Sequence, residues 1–327
     1  MPIEVILRKT PRMVRDVARL PGVREPIDVV GLDLDDIALR VMRHPTVANK
    51  TFLITIGDRT VGGMSSRDQM VGPWQVPVAD CAVTLADYRG FRGEAMAMGE
   101  RSPLAVIDAA ASGRMAVAEA ITNIVAAPVA RLEDIKLSAN WMAACGEPGQ
   151  DAALYDTVDA VSQLCQQVGL SIPVGKDSLS MRTGWQVDGE DRKVVSPVSL
   201  VVTAFASIED VRPSLTPQLR TDEGDTSLIL IDLGQGRNRL GGSVLSQVIN
   251  QVGDSVPDLE SADQLVAFFA AVRTLAESGV ILAYHDRSDG GVFATVCEMA
   301  FAGRVGVTLN IDMLTLDPHA ADWGDFK

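Results

Sequence analysis

The sequence is poor in the residues that announce the commonest site chemistries. Histidine occurs three times and cysteine four times in 327 residues. Cys81, Cys145, Cys165 and Cys297 are widely spaced, with no CxxC pair and no Cys/His zinc pattern. That spacing argues against a zinc-ribbon or disulfide-framework protein and predicts reduced, mostly buried thiols in a cytosolic setting. Cys145 has no histidine near it in sequence, and no nucleophile elbow is visible, so a thiol or serine hydrolase finds no support. The GxxxxGK[ST] phosphate loop is missing as well; LGGSVLSQ (residues 240–247) reads equally as a phosphate loop or as a packing turn before a helix. Positive charge is in deficit, with 29 Lys and Arg against 43 Asp and Glu. A net charge of −14 argues against a broad nucleic-acid-binding surface. A local phosphate site survives that exclusion, because backbone amides and a metal bind anions without a basic patch. No apolar run reaches membrane-spanning length, and MPIEVILRKTPR lacks the apolar core and cleavage site of a signal peptide. Aromatics are only 5%, so Ala, Val, Leu and Ile carry the core. The length allows two domains with proper cores.

What is present centres on residues 57–123. Asp80 precedes an apolar run, CAVTLAD, that predicts a strand. Glu119 and Asn123 are four apart in a helical pattern and share a face, while Val117, Ile121 and Ile124 fall on the opposite, core-facing side. Oxygen ligands at such spacing suit a hard divalent cation, and Mg²⁺ commonly bridges carboxylates to nucleotide phosphates. A solvated helix face with an incidental Glu–Asn pair fits the spacing too.

The remaining chain predicts alternating helices and strands. Residues 3–7 form a strand candidate ahead of a basic stretch, and Leu34–Arg43 a helix ended by His44-Pro45. TFLITI (Thr51–Ile56) reads as a strand, and 58–75 as a long functional loop. Ser102-Pro103 predicts a helix start and Gly113 its end, followed by the helix carrying Glu119. IKLSANWM reads as an edge-like strand. Residues 151–168 form an amphipathic helix with Leu154, Val158, Val161, Cys165 and Val168 on one stripe and Gly169 as its cap. A hairpin tip at 184–193 and a long β-branched strand over 193–208 follow. The Pro-, Thr- and charge-rich stretch after Arg212 marks a domain boundary. Beyond it, SLILIDLG, VILAYH and GVTLNIDM predict strands, and 263–278 and 291–302 helices; residues 317–327 show no strong pattern. HDRSDGG (residues 285–291) sits where a strand gives way to a helix. Asp286, Ser288 and Asp289 offer oxygens there, although such a turn is common by itself. His285 reads either as a general base or, more simply, as a strand-end histidine bonded to nearby backbone.

Four blocks carry a resemblance: GDRTVGGMSSRDQMVGPWQVPVADCAVT, SIPVGKDSLSM, LGGSVLSQ and HDRSDGG. In this order they resemble the large, single-chain phosphoribosylformylglycinamidine synthase family, the formylglycinamide ribonucleotide amidotransferases of purine synthesis. The resemblance implies an α/β (α+β) fold with the two-domain aminoimidazole ribonucleotide synthetase-like architecture. Residues 1–45 would be a preceding tail and linker, 46–212 the N-terminal-type domain, and 213–327 a truncated C-terminal-type domain. The family's enzyme is several times longer, so the chain is expected to be an internal, separately inactive fragment of the synthetase region. The family converts formylglycinamide ribonucleotide, glutamine and ATP to the amidine, glutamate, ADP and phosphate. Carried over residue by residue, the resemblance makes Asp80, Glu119, Asn123 and Asp286 ligands of Mg²⁺. It assigns the backbone of Ala79 and Ser288 to the ATP or ADP, with Lys50 a further candidate for the phosphates. The site would be auxiliary, without catalytic residues of its own. A homodimer through the first domain is expected, with no nucleic-acid or membrane partner. Two alternatives remain: another ATP-dependent member of the superfamily, such as a selenophosphate synthetase or thiamine-monophosphate kinase, or a nucleotide-binding module without turnover.

Overall fold

The computed structural model describes residues 24–287 and 289–311, with a few isolated positions before residue 24. Helix α1 (Leu34–Arg43) starts where the Asp33 side chain accepts from the backbone N–H groups of Asp35 and Asp36. It stops at His44, whose extended backbone precedes a proline.

The body is a six-stranded sheet. Its strands are β1 (Ser65–Arg67), β4 (Ala82–Leu85), β5 (Gly93–Glu100), β10 (Ser199–Ile208), β6 (Lys136–Met142) and β7 (Ser171–Ser178), in that spatial order. Only the β6–β7 pair is parallel. Two small ribbons stand apart, β2 (Met70–Val71) with β3 (Val76–Pro77), and β8 (Arg182–Val187) with β9 (Glu190–Val195). Alternation sorts the faces. On β10, Leu200, Val202, Ala204, Ala206 and Ile208 are buried, while Phe205 is 40% exposed on the other side.

The buried face is covered by α3 (Ala109–Ile124), α4 (Gln150–Val168) and α6 (Ala262–Glu277), whose apolar residues join one core with the sheet. Val117, Ile121 and Ile124 are fully buried, as their spacing predicts. On α4, Val161, Cys165 and Val168 are buried, Val158 is 43% exposed, and Gly169 caps the helix in the left-handed conformation. A smaller cluster joins Ile37 and Val41 of α1 to Val244 of α5 (Val244–Val248) and Ala294 of α7 (Gly291–Gly303).

Several expectations are corrected. Thr51–Ile56 is helix α2, not a strand; four of its six residues are solvent-exposed, and it joins no ladder among the described residues. Gly113 lies inside α3 rather than ending a helix. A Cβ there would come within 2.7 Å of Thr157 and 2.9 Å of Val161, so the missing side chain lets α3 and α4 pack closely. The turn at Ser102–Val106 is a separate 3-10 helix. β6 is interior, bonded on both sides, not an edge. The single strand expected over 193–208 is broken by Ser196-Pro197: proline cannot donate to the ladder, so β9 ends in the hairpin with β8 and β10 begins afresh. That hairpin turns at Asp188-Gly189, both at positive φ, which suits a two-residue connection. The runs at 227–234, 280–285 and 306–311 are not strands in the described residues. Ile229 and Val280 are 77% and 67% exposed, and the segments have no ladder partner. Expectations at 3–7 and 317–327 fall almost wholly outside the described residues.

Candidate functional site

Asp80 enters the core immediately before β4, and its side chain is fully buried. Oδ1 accepts two bonds, from His285 Nδ1 at 2.7 Å and from the backbone N–H of Asp286 at 3.0 Å. Oδ2 is buried with no hydrogen-bond partner. A carboxylate oxygen left so is costly unless something positive meets it.

Asp286, itself buried, lies beside it; ligand atoms of Asp80, His285 and Asp286 fall within 4.8 Å of one another. Burial pushes the Asp286 carboxyl well above its usual range, and the charges of Asp80 and Glu119 add to this against the opposing pull of His285 and Arg101. In this arrangement both ring nitrogens of His285 are already engaged, Nδ1 with Asp80 at 2.7 Å and Nε2 with Glu298 at 2.8 Å. Burial alone would lower its pKa, but Asp80 and Glu298 hold it well above 6.5. The backbone-bonded histidine expected from sequence is thus corrected to one held between two side-chain carboxylates.

Glu119 projects from α3 toward this pair. Its Oε2 accepts from the Glu100 backbone N–H at 2.7 Å, and its Oε1 lies 3.8 Å from Arg101. Arg101 also pairs with Asp289 at 2.7 Å, bridging the sheet end to the turn before α7. Asn123 lies one turn beyond Glu119, and its amide donates to the Met98 carbonyl at 2.9 Å. Between them the Thr122 carbonyl accepts from Tyr284 Oη at 2.6 Å, tying α3 to the segment that delivers His285 and Asp286. Asp80 and Asp286 are thus brought together, Asp286 feels the charge of Glu119, and Asn123 shares the helix face of Glu119.

The nucleotide-contact candidates are more dispersed. The Ala79 N–H donates to the Gln69 carbonyl at 3.2 Å, and Ala79 lines a cavity of about 110 Å³ with Arg67, Asp68 and Thr216. Lys50 Nζ donates to the carbonyls of Thr46 and Ala48; burial lowers its pKa, opposed by Glu298 and Asp289. Ser288 lies outside the described residues. Sequence reasoning missed Arg101, Tyr284 and Glu298, which have no motif of their own and act through partners far away in the chain.

The residues present fit a hard cation. The orphaned Asp80 oxygen, the crowded Asp286 and a donor set made of oxygens all ask for one, and none favours a soft metal.

Comparison with known proteins identifies the two domains. Residues 49–207 match the FGAR-AT PurM_N-like domain. Residues 223–326 match the C-terminal domain of AIR synthase related proteins. Among solved structures, Thermotoga maritima PurL complexed with FGAR is 12% identical, with a TM-score of 0.52, over 83% of this chain and 39% of that chain. The T. maritima PurL complexed with ATP gives 15% identity and a TM-score of 0.46 over 90% of this chain and 39% of that one. PurLQS from Thermotoga maritima gives 18% and 0.40 over 62% and 29%. The chain thus spans 29 to 39% of the length of these proteins. The two domain matches, in this order and over most of the sequence, make the chain a member of the formylglycinamide ribonucleotide amidotransferase family, a PurL-like synthetase region with the paired domains of the aminoimidazole ribonucleotide synthetase fold.

Proposed function

We propose that this chain supplies an auxiliary Mg²⁺–nucleotide site to an ATP-dependent ligase. That enzyme makes formylglycinamidine ribonucleotide from formylglycinamide ribonucleotide, with glutamine as amide donor. The observation that carries the reading is the buried, unpartnered Asp80 oxygen beside a strongly perturbed Asp286. Asp80, Glu119, Asn123 and Asp286 would hold Mg²⁺, which would neutralise their crowded charge and bridge to the phosphates of ADP or ATP. Ala79, Ser288 and Lys50 would contact the nucleotide. Residues 46–212 and 213–327 form the two domains, and the ligand clamps them, since Asp80 comes from one and Asp286 from the other. Solved T. maritima PurL structures complexed with ATP, ADP and AMPPCP support a nucleotide as the ligand class. The sheet's outer face, with Met98 57% exposed and Phe205 40% exposed, supports pairing with a second copy.

The test is thermal melting with Mg-ADP. Ligand binding only the folded state at a hundredfold excess over its dissociation constant stabilises by about 2.7 kcal/mol. Glu119→Ala, Asn123→Ala and Asp286→Ala should each shrink the Mg-ADP shift. Asp87→Ala, in the turn after β4, should not. Equal shifts in all four variants would place the nucleotide elsewhere.

A further inference from the structure

We propose that Glu298, acting through His285, is a positioning residue that aims the free carboxylate oxygen of Asp80 into the cation site. The inference rests on the cation-site reading above and goes beyond it by naming what orients the ligand.

Oδ1 of Asp80 is pinned by two donors, His285 Nδ1 and the Asp286 N–H, at 2.7 and 3.0 Å. With one oxygen fixed twice, the plane of the carboxylate is set and Oδ2 points one way. It is this oxygen that has no partner among the described residues. The imidazole is in turn held from behind, because Nε2 bonds Glu298 Oε2 at 2.8 Å. Exposure falls along the chain of contacts, from 24% for the Glu298 side chain to 8% for His285 and zero for Asp80. The relay therefore reaches from the surface of α7 to the buried ligand.

Helix α7 is itself registered on the same segment. Thr295 Oγ1 donates to the Asp286 carbonyl at 3.2 Å, and Thr295 and Glu298 are three apart, on one helix face. One face of α7 thus fixes the backbone of Asp286 and the ring that orients Asp80. At its start α7 packs on α1 and the turn after it: a Cβ on Gly290 would lie 3.2 Å from Val47 Cγ2 and 3.5 Å from Val41 Cγ1. Both ring nitrogens of His285 are spent on carboxylates, so its part is to transmit position. Partners of this kind typically change metal affinity by about ten- to a hundredfold when removed.

The experiment titrates Mn²⁺ alone into the full 327-residue chain by calorimetry, for the parent and for Asp80→Asn, Glu298→Gln, Glu298→Leu and Glu298→Ala. The expected result is saturable binding in the parent and a severe loss in Asp80→Asn. Glu298→Leu should bind about tenfold more weakly or worse. Glu298→Gln, which keeps an oxygen for Nε2, should stay close to the parent. That rescue separates positioning from a merely structural role, and the ring N–H proton resonance of His285 should persist in Glu298→Gln and be lost in Glu298→Leu. If Glu298→Leu does not fold by circular dichroism, Glu298→Ala carries the comparison. Parent-like affinity in the Leu and Ala variants, with Asp80→Asn crippled, would overturn the relay and leave the cation site standing. A Glu298→Gln variant as weak as Glu298→Leu would overturn it likewise. No saturable Mn²⁺ binding by the parent, or unchanged binding in Asp80→Asn, would overturn both.

Discussion

Asp286 shows how one residue couples the site to the stability of the molecule. It is buried against Asp80 and feels Glu119, so its carboxyl holds a proton far more tightly when folded than when unfolded. Between the ordinary carboxylate value of about 3.9 and that raised value, the folded state binds more protons, and stability falls as pH rises. His285 slopes the same way: its raised pKa gives stability complete below about 6.5 and lost as pH climbs through the folded value. Without divalent cation, the melting temperature should therefore drop as pH rises above about 6.5. Asp286→Asn cannot ionise, so it should reduce that slope and melt higher than the parent at the alkaline end. A melting series showing the parent and Asp286→Asn parallel across the range would contradict this account.

At the level of elements, the site depends on how closely α3 lies on β5. A Cβ on Gly99 would come within 2.1 Å of the Ala116 carbonyl oxygen and 2.4 Å of the Ala120 nitrogen. These are backbone atoms of α3 on either side of Glu119, and they cannot turn aside as a side chain can. Gly99→Ala should cost about 3 kcal/mol, toward the upper end of ordinary overpacking, and should push Glu119 off the Glu100 N–H. Chemical denaturation gives the stability, and loss of the Mg-ADP shift beyond that expected from stability alone gives the displacement. A variant as stable as the parent would mean that α3 sits farther from the sheet than described.

For the whole molecule, the described residues cover the sheet on one face only. Met98 on β5, Phe205 on β10 and Val174 on β7 stand exposed on the other face, at 57%, 40% and 62%. Apolar groups gathered on a sheet face are stabilised by covering them. β10 itself has no edge to offer, being bonded to β5 and β6, so association would be face to face rather than strand to strand. Sedimentation should show a dimer at micromolar concentration, and Phe205→Glu with Met98→Glu should shift it to monomer without unfolding. Monomer alone in the parent would refute the pairing.

Much of this was readable along the chain because it depends on local periodicity. The face of α3 that carries Glu119 and Asn123, helix α1 with its stop at His44-Pro45, and the glycine cap at Gly169 all follow from neighbours within a turn or two. The motif blocks named the family, since order and identity survive without coordinates. What failed was whatever required a partner distant in sequence. TFLITI has a strand's composition but no ladder to join, so it coils into α2. Gly113 looked like a stop and is instead a contact between helices. IKLSANWM looked like an edge until β7 paired on its far side. The site divides the same way: the candidate oxygens could be picked out along the chain. The long-range packing that brings residues 80 and 285 to 2.7 Å and turns His285 toward Glu298 is what ties down one oxygen of Asp80 and leaves the other without a partner among the described residues.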